Sequence, residues 1–161
     1  DVGLVFRQCP NFGEVIAYTD ANFSVKRSQT GSAIKLGDNL VAWMSRKQTE
    51  ASTSSAESEV RALAATEVLA DYIKTLRESL CLPTPVIEIR CDNTAAITLA
   101  TGEGSWRTKA AANQVNAVKE KVDAGSVKIT HVSTKQQCAD SLTKFIRGGP
   151  DQAKAREHYP W

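Results

Sequence analysis

Asp20 in Tyr18-Thr19-Asp20, Glu59 in Ser58-Glu59-Val60, Asp92 in Cys91-Asp92-Asn93 and Asp140 in Ala139-Asp140-Ser141 are four carboxylates in four different local frames. Two divalent cations about 4 Å apart need several acidic oxygens to hold them, with positions left open for a phosphate and a water. Mg²⁺ keeps several of its own waters and takes few protein oxygens, so four carboxylates shared by two ions is a chemically sensible set. The chemistry expected of such a set is in-line hydrolysis of a phosphodiester, one ion activating water and the other stabilising the leaving 3′-oxygen. Each acid alone has a plainer reading. Glu59 and its neighbour Glu57 fit as charges near a helix N-terminus, Asp140 as a capping residue and Asp20 as a turn former.

The elements that must carry these acids follow from the hydrophobic pattern. Residues 14–20 contain the apolar run Val15-Ile16-Ala17-Tyr18 and read as a buried strand with Asp20 at its end. Residues 30–36 form a second strand, and Gly37-Asp38-Asn39 turns the chain into a third at 40–45, giving three adjacent antiparallel strands. Ser52-Thr53-Ser54-Ser55 then offers N-cap oxygens, with Glu57 and Glu59 in the first turns of a helix running to about Leu80. Its apolar residues, among them Val60, Leu63, Val68, Leu69, Ile73, Leu76 and Leu80, spread too widely for one narrow stripe, so it is expected to be covered on several sides.

Pro83 and Pro85 end that helix, and Val86-Ile87-Glu88-Ile89-Arg90-Cys91 alternates as a strand leading to Asp92. A short helix over 93–100 stops at Gly102 and Gly104. Thr108 is placed to cap a further helix, with Val115, Val118 and Val122 on one face and Gly125 as its terminator. Residues 127–132 alternate as a last strand, and residues 136–146 read as a last helix with Ala139, Leu142 and Ile146 facing inward. The order is β-β-β-α-β-α-α-β-α: an α/β fold with a mixed five-stranded sheet, antiparallel strands first and parallel strands after, flanked by helices. Three of the four acids lie at strand ends or a helix start and Glu59 lies early in the long helix, and in such sheets sites collect at the carboxyl ends of strands.

A chain of 161 residues suits one compact domain, burying roughly two-thirds of its surface. Residues 1–146 are expected to form that domain, with 1–13 as a leader and 147–161 as a tail without a core pattern. Hydrophobic residues make up 42% and charged residues 24%, and no apolar run is long enough to span a membrane. The start at Asp1, without Met or a signal-like segment, suggests a piece of a longer protein. A net charge of +2 neither demands nor excludes a polyanionic partner, so attraction to phosphates must come from local patches. The four cysteines lack both zinc-site spacing and disulfide density, which points to reduced thiols in an intracellular compartment.

Six stretches in this order resemble one family, the ribonuclease H domain that ends the polyprotein of copia-type LTR retrotransposons, within the RNase H-like superfamily. They are Tyr18-Thr19-Asp20-Ala21-Asn22-Phe23, Arg27-Ser28-Gln29-Thr30-Gly31, Ala42-Trp43-Met44-Ser45-Arg46-Lys47-Gln48, Ser54-Ser55-Ala56-Glu57-Ser58-Glu59, Cys91-Asp92-Asn93 and Ala139-Asp140-Ser141-Leu142-Thr143-Lys144. The resemblance implies an endonuclease that hydrolyses the RNA strand of RNA–DNA hybrids with two Mg²⁺ ions, for which Mn²⁺ can substitute. Asp20, Glu59, Asp92 and Asp140 would hold the metals, Glu59 being preferred to Glu57 because Val60-Arg61-Ala62 follows it as in the family. It also implies a reverse transcriptase region joined through the leader, and work in the cytoplasm, in a particle, or in the nucleus.

Substrate contacts are expected from Asn93, beside Asp92, and from Arg27, Arg107 and Lys109 on phosphates, with Lys26, Arg46 and Lys47 as further cations. Asn93 serves equally as a helix cap, and exposed cations are commonly only solvated surface. Trp106 is the stacking candidate, whereas Trp43 and His131, both inside strands, are expected in the core. The family pattern is broken at Ala110-Ala111-Ala112 and at Asn116, where histidines and an aspartate are usual. Ser133-Thr134-Lys135-Gln136 also lacks the histidine that cellular ribonucleases H carry before their last aspartate, so product release is expected to be slower or differently assisted. The competing reading is a host-recruited or degenerate module that binds nucleic acid or protein without turnover. A DNA-acting integrase or resolvase fits less well, because such enzymes generally use a different order of acids.

Overall fold

The computed structural model describes residues 6–8, 10, 11, 13–102 and 111–144. Within it, β1 (Val15–Asn22), β2 (Gln29–Leu36) and β3 (Asn39–Lys47) are followed by α1 (Ser55–Ser79), β4 (Ile87–Cys91), α2 (Thr94–Ala100), α3 (Ala112–Asp123), β5 (Val127–His131) and α4 (Asp140–Thr143). The expected phosphate contacts Arg107 and Lys109, the stacking candidate Trp106, the helix cap Thr108, Ile146 and the tail 147–161 lie outside the described residues.

The five strands form one sheet in the order β3-β2-β1-β4-β5. β1 pairs antiparallel with β2 and parallel with β4, β2 antiparallel with β3, and β4 parallel with β5. Those directions make β1, β3, β4 and β5 finish at one end of the sheet, so the segments that follow them gather there. Gly37, at φ 57°, supplies the left-handed turn that pairs Leu36 with Asn39.

Strand alternation divides the apolar residues between the two faces of the sheet. Val15, Ala17, Ile34, Leu36, Ile87, Ile89 and Val127 pack against Leu63, Ala70 and Ile73 of α1 and Val118 of α3 in the main core. On the opposite face Tyr18 and Ala33 meet Val132, Cys138 and Ala139. A third cluster, Val60, Cys91, Ala96 and Ala111, joins α1, β4 and α2 beneath the end of the sheet that bears the acids.

α1 starts where the run of hydroxyls ends. Ser54 accepts from the backbone N–H of Glu57 at 3.1 Å, and the Glu57 carboxylate accepts from both the N–H (2.8 Å) and the hydroxyl (2.7 Å) of Thr53. This reciprocal capping fixes the first turn and therefore the direction of every side chain after it.

α1 is covered by the sheet and by both α2 and α3, as its widely spread apolar residues predict, although Val68, Tyr72 and Leu76, spaced four apart, form an exposed strip. Three expectations are corrected. Trp43 is 56% exposed, because β3 is an edge strand and none of the described residues packs over that position, and His131, at the end of the other edge strand, is exposed as well. Among the described residues the last helix covers only Asp140–Thr143 and does not begin at 136. Gln137 explains the late start. Its Oε1 accepts from Ala139 N–H at 3.3 Å in a local turn and its Nε2 donates to Thr19 O at 2.8 Å across the fold, so the segment before Asp140 makes these bonds instead of a helical ladder.

Candidate metal centre

Asp20 sits two residues before the end of β1, and Asp92 is the first residue after β4. The register pairs Thr19 with Cys91, so the two aspartates leave neighbouring parallel strands side by side. Glu59 reaches them from the second turn of α1. One ligand oxygen from each of Asp20, Glu59 and Asp92 lies within 4.8 Å of the other two. Opposed ligands of an octahedral Mg²⁺-sized ion are about 4.2 Å apart, given metal–oxygen distances of 2.0–2.1 Å, so this spacing suits a hard divalent cation.

Asp140 lies outside that group of three, yet it is close enough to Asp20 to disfavour its charge. It is buried, opens α4, and is paired at 2.5 Å with Lys144 one turn later. Thr143, on the same short helix, donates to Asp20 Oδ2 at 2.6 Å. Asp92 is held from the loop after β5 by Thr134 Oγ1 at 3.0 Å.

The electrostatics are those of like charges gathered away from water. Glu59 is pushed up to about 8, first by burial and then by the charges of Asp20 and Asp92, against a lowering contribution from the Ala21 backbone N–H. Burial also raises Asp20; the Thr143 hydroxyl opposes the rise, and Asp92 and Asp140 add to it. Glu59 Oε2 is buried with no hydrogen-bond partner among the described residues. An acceptor-only oxygen facing two further carboxylates away from water is costly unless a cation or a proton arrives. Three carboxylates and no soft ligand at the meeting point fit Mg²⁺ or Mn²⁺ better than a thiolate-seeking metal.

The remaining expected site residues divide. Asn93 is the N-cap of α2, its Oδ1 accepting from Ala96 N–H at 3.1 Å, which leaves its side-chain amide N–H groups available to a ligand beside Asp92. Arg27 and Lys47 line a groove of about 500 Å³ next to the acids, together with Asn22, Ser24, Gln29, Ser45, Leu142, Thr143 and Lys144. Arg46 faces a second hollow with Gln48, Thr49, Arg61 and Gln114. Asn116 lies exposed on α3.

Sequence reasoning missed Thr143, Thr134 and Gln137. Their one signal is position, since each lies within six residues of Asp140; hydroxyl and amide side chains carry no periodicity that marks a role.

No family model matches the chain. Over 147 residues, 87% of the chain, it is 33% identical to the Retrovirus-related Pol polyprotein from transposon RE1 of Arabidopsis thaliana. The chain spans about a tenth of the length of the curated relatives it matches. Among solved structures it resembles the RNase H1 of the halophilic archaeon Halobacterium salinarum NRC-1, with a TM-score of 0.61 and 23% identity over 81% of this chain and 94% of that one. It also resembles LC11-RNase H1, isolated from compost and solved in complex with an RNA/DNA hybrid, with a TM-score of 0.62 and 16% identity over 80% of this chain and 93% of that one.

Proposed function

The chain is homologous to a stretch of the Pol polyproteins of copia-type transposons and has the RNase H-like fold, and from that premise we propose that it is a metal-dependent ribonuclease H cutting the RNA strand of RNA–DNA hybrids. The observation that carries the reading is the convergence of Asp20, Glu59 and Asp92 around a buried glutamate oxygen with no partner. Two Mg²⁺ ions, replaceable by Mn²⁺, are the proposed cofactors. When bound they supply an activated water and stabilise the departing 3′-oxygen.

The residues of the chain do the rest. Asp20, Glu59 and Asp92 would hold the ions with ligand oxygens that lie within 4.8 Å of one another, and Asp140, paired with Lys144, would add a fourth carboxylate from α4. The third hydrophobic cluster beneath the acids keeps water from their lower side. The Asn93 amide is placed to donate to the wide minor groove of a hybrid, where 2′-hydroxyls distinguish the RNA strand. Arg27 and Lys47, which line the groove beside the acids, would contact phosphates flanking the cut. Arg107 and Lys109 belong to the same proposal. So do a reverse transcriptase region ahead of residues 1–13, a single domain over 1–146, and work inside the cell during reverse transcription, in a cytoplasmic particle or in the nucleus.

The test is cleavage of a labelled RNA strand in an RNA–DNA hybrid with Mg²⁺ or Mn²⁺, beside RNA–RNA and DNA–DNA duplexes and an Asp20→Asn control. Cutting of the hybrid alone, abolished in the control, is the expected result. A folded protein that cuts nothing with either metal overturns the reading and leaves a binding module without turnover.

A further inference from the structure

α4 has only four residues, yet it is fastened to three strands. Asn22 Nδ2 donates to Thr143 O at 3.3 Å, and Ser45 Oγ donates to Leu142 O at 2.5 Å. The chain entering the helix is held by the bond from Gln137 to Thr19 O. Beneath the helix lies Gly31, the cross-strand partner of Asp20, and a Cβ there would meet Ala139 O and Thr143 Cγ2, each at 2.7 Å. Glycine at this position is what lets α4 approach β2 closely enough for a side chain to reach the carboxylate next door.

That side chain is Thr143, which is buried. Its hydroxyl lies 2.6 Å from Asp20 Oδ2 and 2.9 Å from Asp140 O. A hydroxyl has one hydrogen, and the shorter, charged acceptor takes the larger share of it. Asp20 therefore has one oxygen engaged by a donor that is itself held by helix packing, and the plane of its carboxylate is set before any cation arrives.

We infer that Thr143 is a positioning residue: its hydroxyl, seated by the contact of α4 with Gly31, orients the Asp20 carboxylate for metal binding. The inference rests on the nuclease reading for its consequence, but the orientation itself does not. Partners that orient metal-binding carboxylates are commonly worth about 10- to 100-fold in metal affinity.

The test compares wild type with Thr143→Ser, which keeps the hydroxyl, and Thr143→Val, which keeps the shape and removes the donor. Two readouts are taken without substrate: the side-chain conformation of Asp20 by NMR in metal-free protein, and Mg²⁺ and Mn²⁺ affinity by calorimetry. The expected result is one Asp20 rotamer in wild type and Thr143→Ser, several in Thr143→Val, and a loss of about 10-fold or more in affinity for the valine variant alone. An unchanged Asp20 conformation in Thr143→Val overturns the inference, as does loss in the serine variant too, which would assign the effect to the methyl group packed on Gly31. Should Thr143→Val fail to fold, Thr143→Ala carries the same readouts without overpacking. If wild type binds neither cation the nuclease reading fails, whereas the metal-free Asp20 conformation still decides whether Thr143 orients it.

Discussion

Glu57 and Glu59, two residues apart on the first turns of α1, face in opposite directions. Glu57 turns back to Thr53 and to Arg61, whose Nη2 lies 2.9 Å from its Oε1, whereas Glu59 turns toward Asp20 and Asp92. A spacing of two residues on a helix rotates side chains by about 200°, so one glutamate can cap and the other can ligate, but not both together. Glu59→Gln is expected to abolish tight Mg²⁺ binding with the fold intact. Glu57→Gln should cost about 1–3 kcal/mol in urea denaturation while leaving Mg²⁺ affinity within error. The reverse pattern would move the ligand assignment to Glu57.

Stability without metal should depend on pH in a definite direction. Glu59 is raised from 4.5 to about 8, so its carboxyl binds a proton more readily in the folded state than in the unfolded chain. The stability this gives is fully present below the unfolded value, declines as pH rises between the two, and is gone above about 8. Asp20, also raised, acts in the same direction. In chelator, the melting temperature is expected to be higher near about pH 6 than near about pH 8.5, the difference shrinking in Glu59→Gln and on adding Mg²⁺. A flat profile in chelator would contradict the buried, like-charged cluster.

Gly31→Ala should be among the costly single-methyl changes in the chain. The added carbon meets backbone at Ala139 O, which cannot swing aside as a flexible side chain would. A loss of about 1–3 kcal/mol in denaturation is expected, with a fall in hybrid cleavage as α4 is pushed off Asp20. Gly13→Ala, where nothing lies within 4 Å, is the control and should stay within about 0.5 kcal/mol of wild type.

Arg27 and Lys47 are exposed and line the groove beside the acids. Arg27→Ala and Lys47→Ala should leave the melting temperature unchanged and weaken hybrid binding. Each should also reduce the slope of log affinity against log salt by about 1 if it neutralises one phosphate. An unchanged slope in both would place the hybrid on another face.

The strands and the start of α1 were legible in the sequence because their signals are local: Val15 to Tyr18, the alternation from Ile87 to Cys91, and a hydroxyl run followed by Glu57. Asn93 was legible as a cap for the same reason. What depended on distant chain was not. Trp43 has the residue type of a core position, but its burial depends on what lies over an edge strand, and nothing among the described residues does. The late start of α4 depends on Gln137 finding Thr19, a partner at the other end of the chain. Thr143 could be read as helix-compatible, and only the approach over Gly31 gives it Asp20 as an acceptor.

The bond between Thr143 and Asp20 joins residues 123 positions apart, and that between Gln137 and Thr19 joins residues 118 apart. Closing loops of that length costs more entropy than closing any hairpin in the sheet. A nascent chain that has emerged only through β5 already holds every described strand, with Asp20, Glu59 and Asp92 all present, but it has neither Asp140 nor the Thr143 hydroxyl. The order of synthesis therefore keeps the acid cluster incomplete until α4 has left the ribosome.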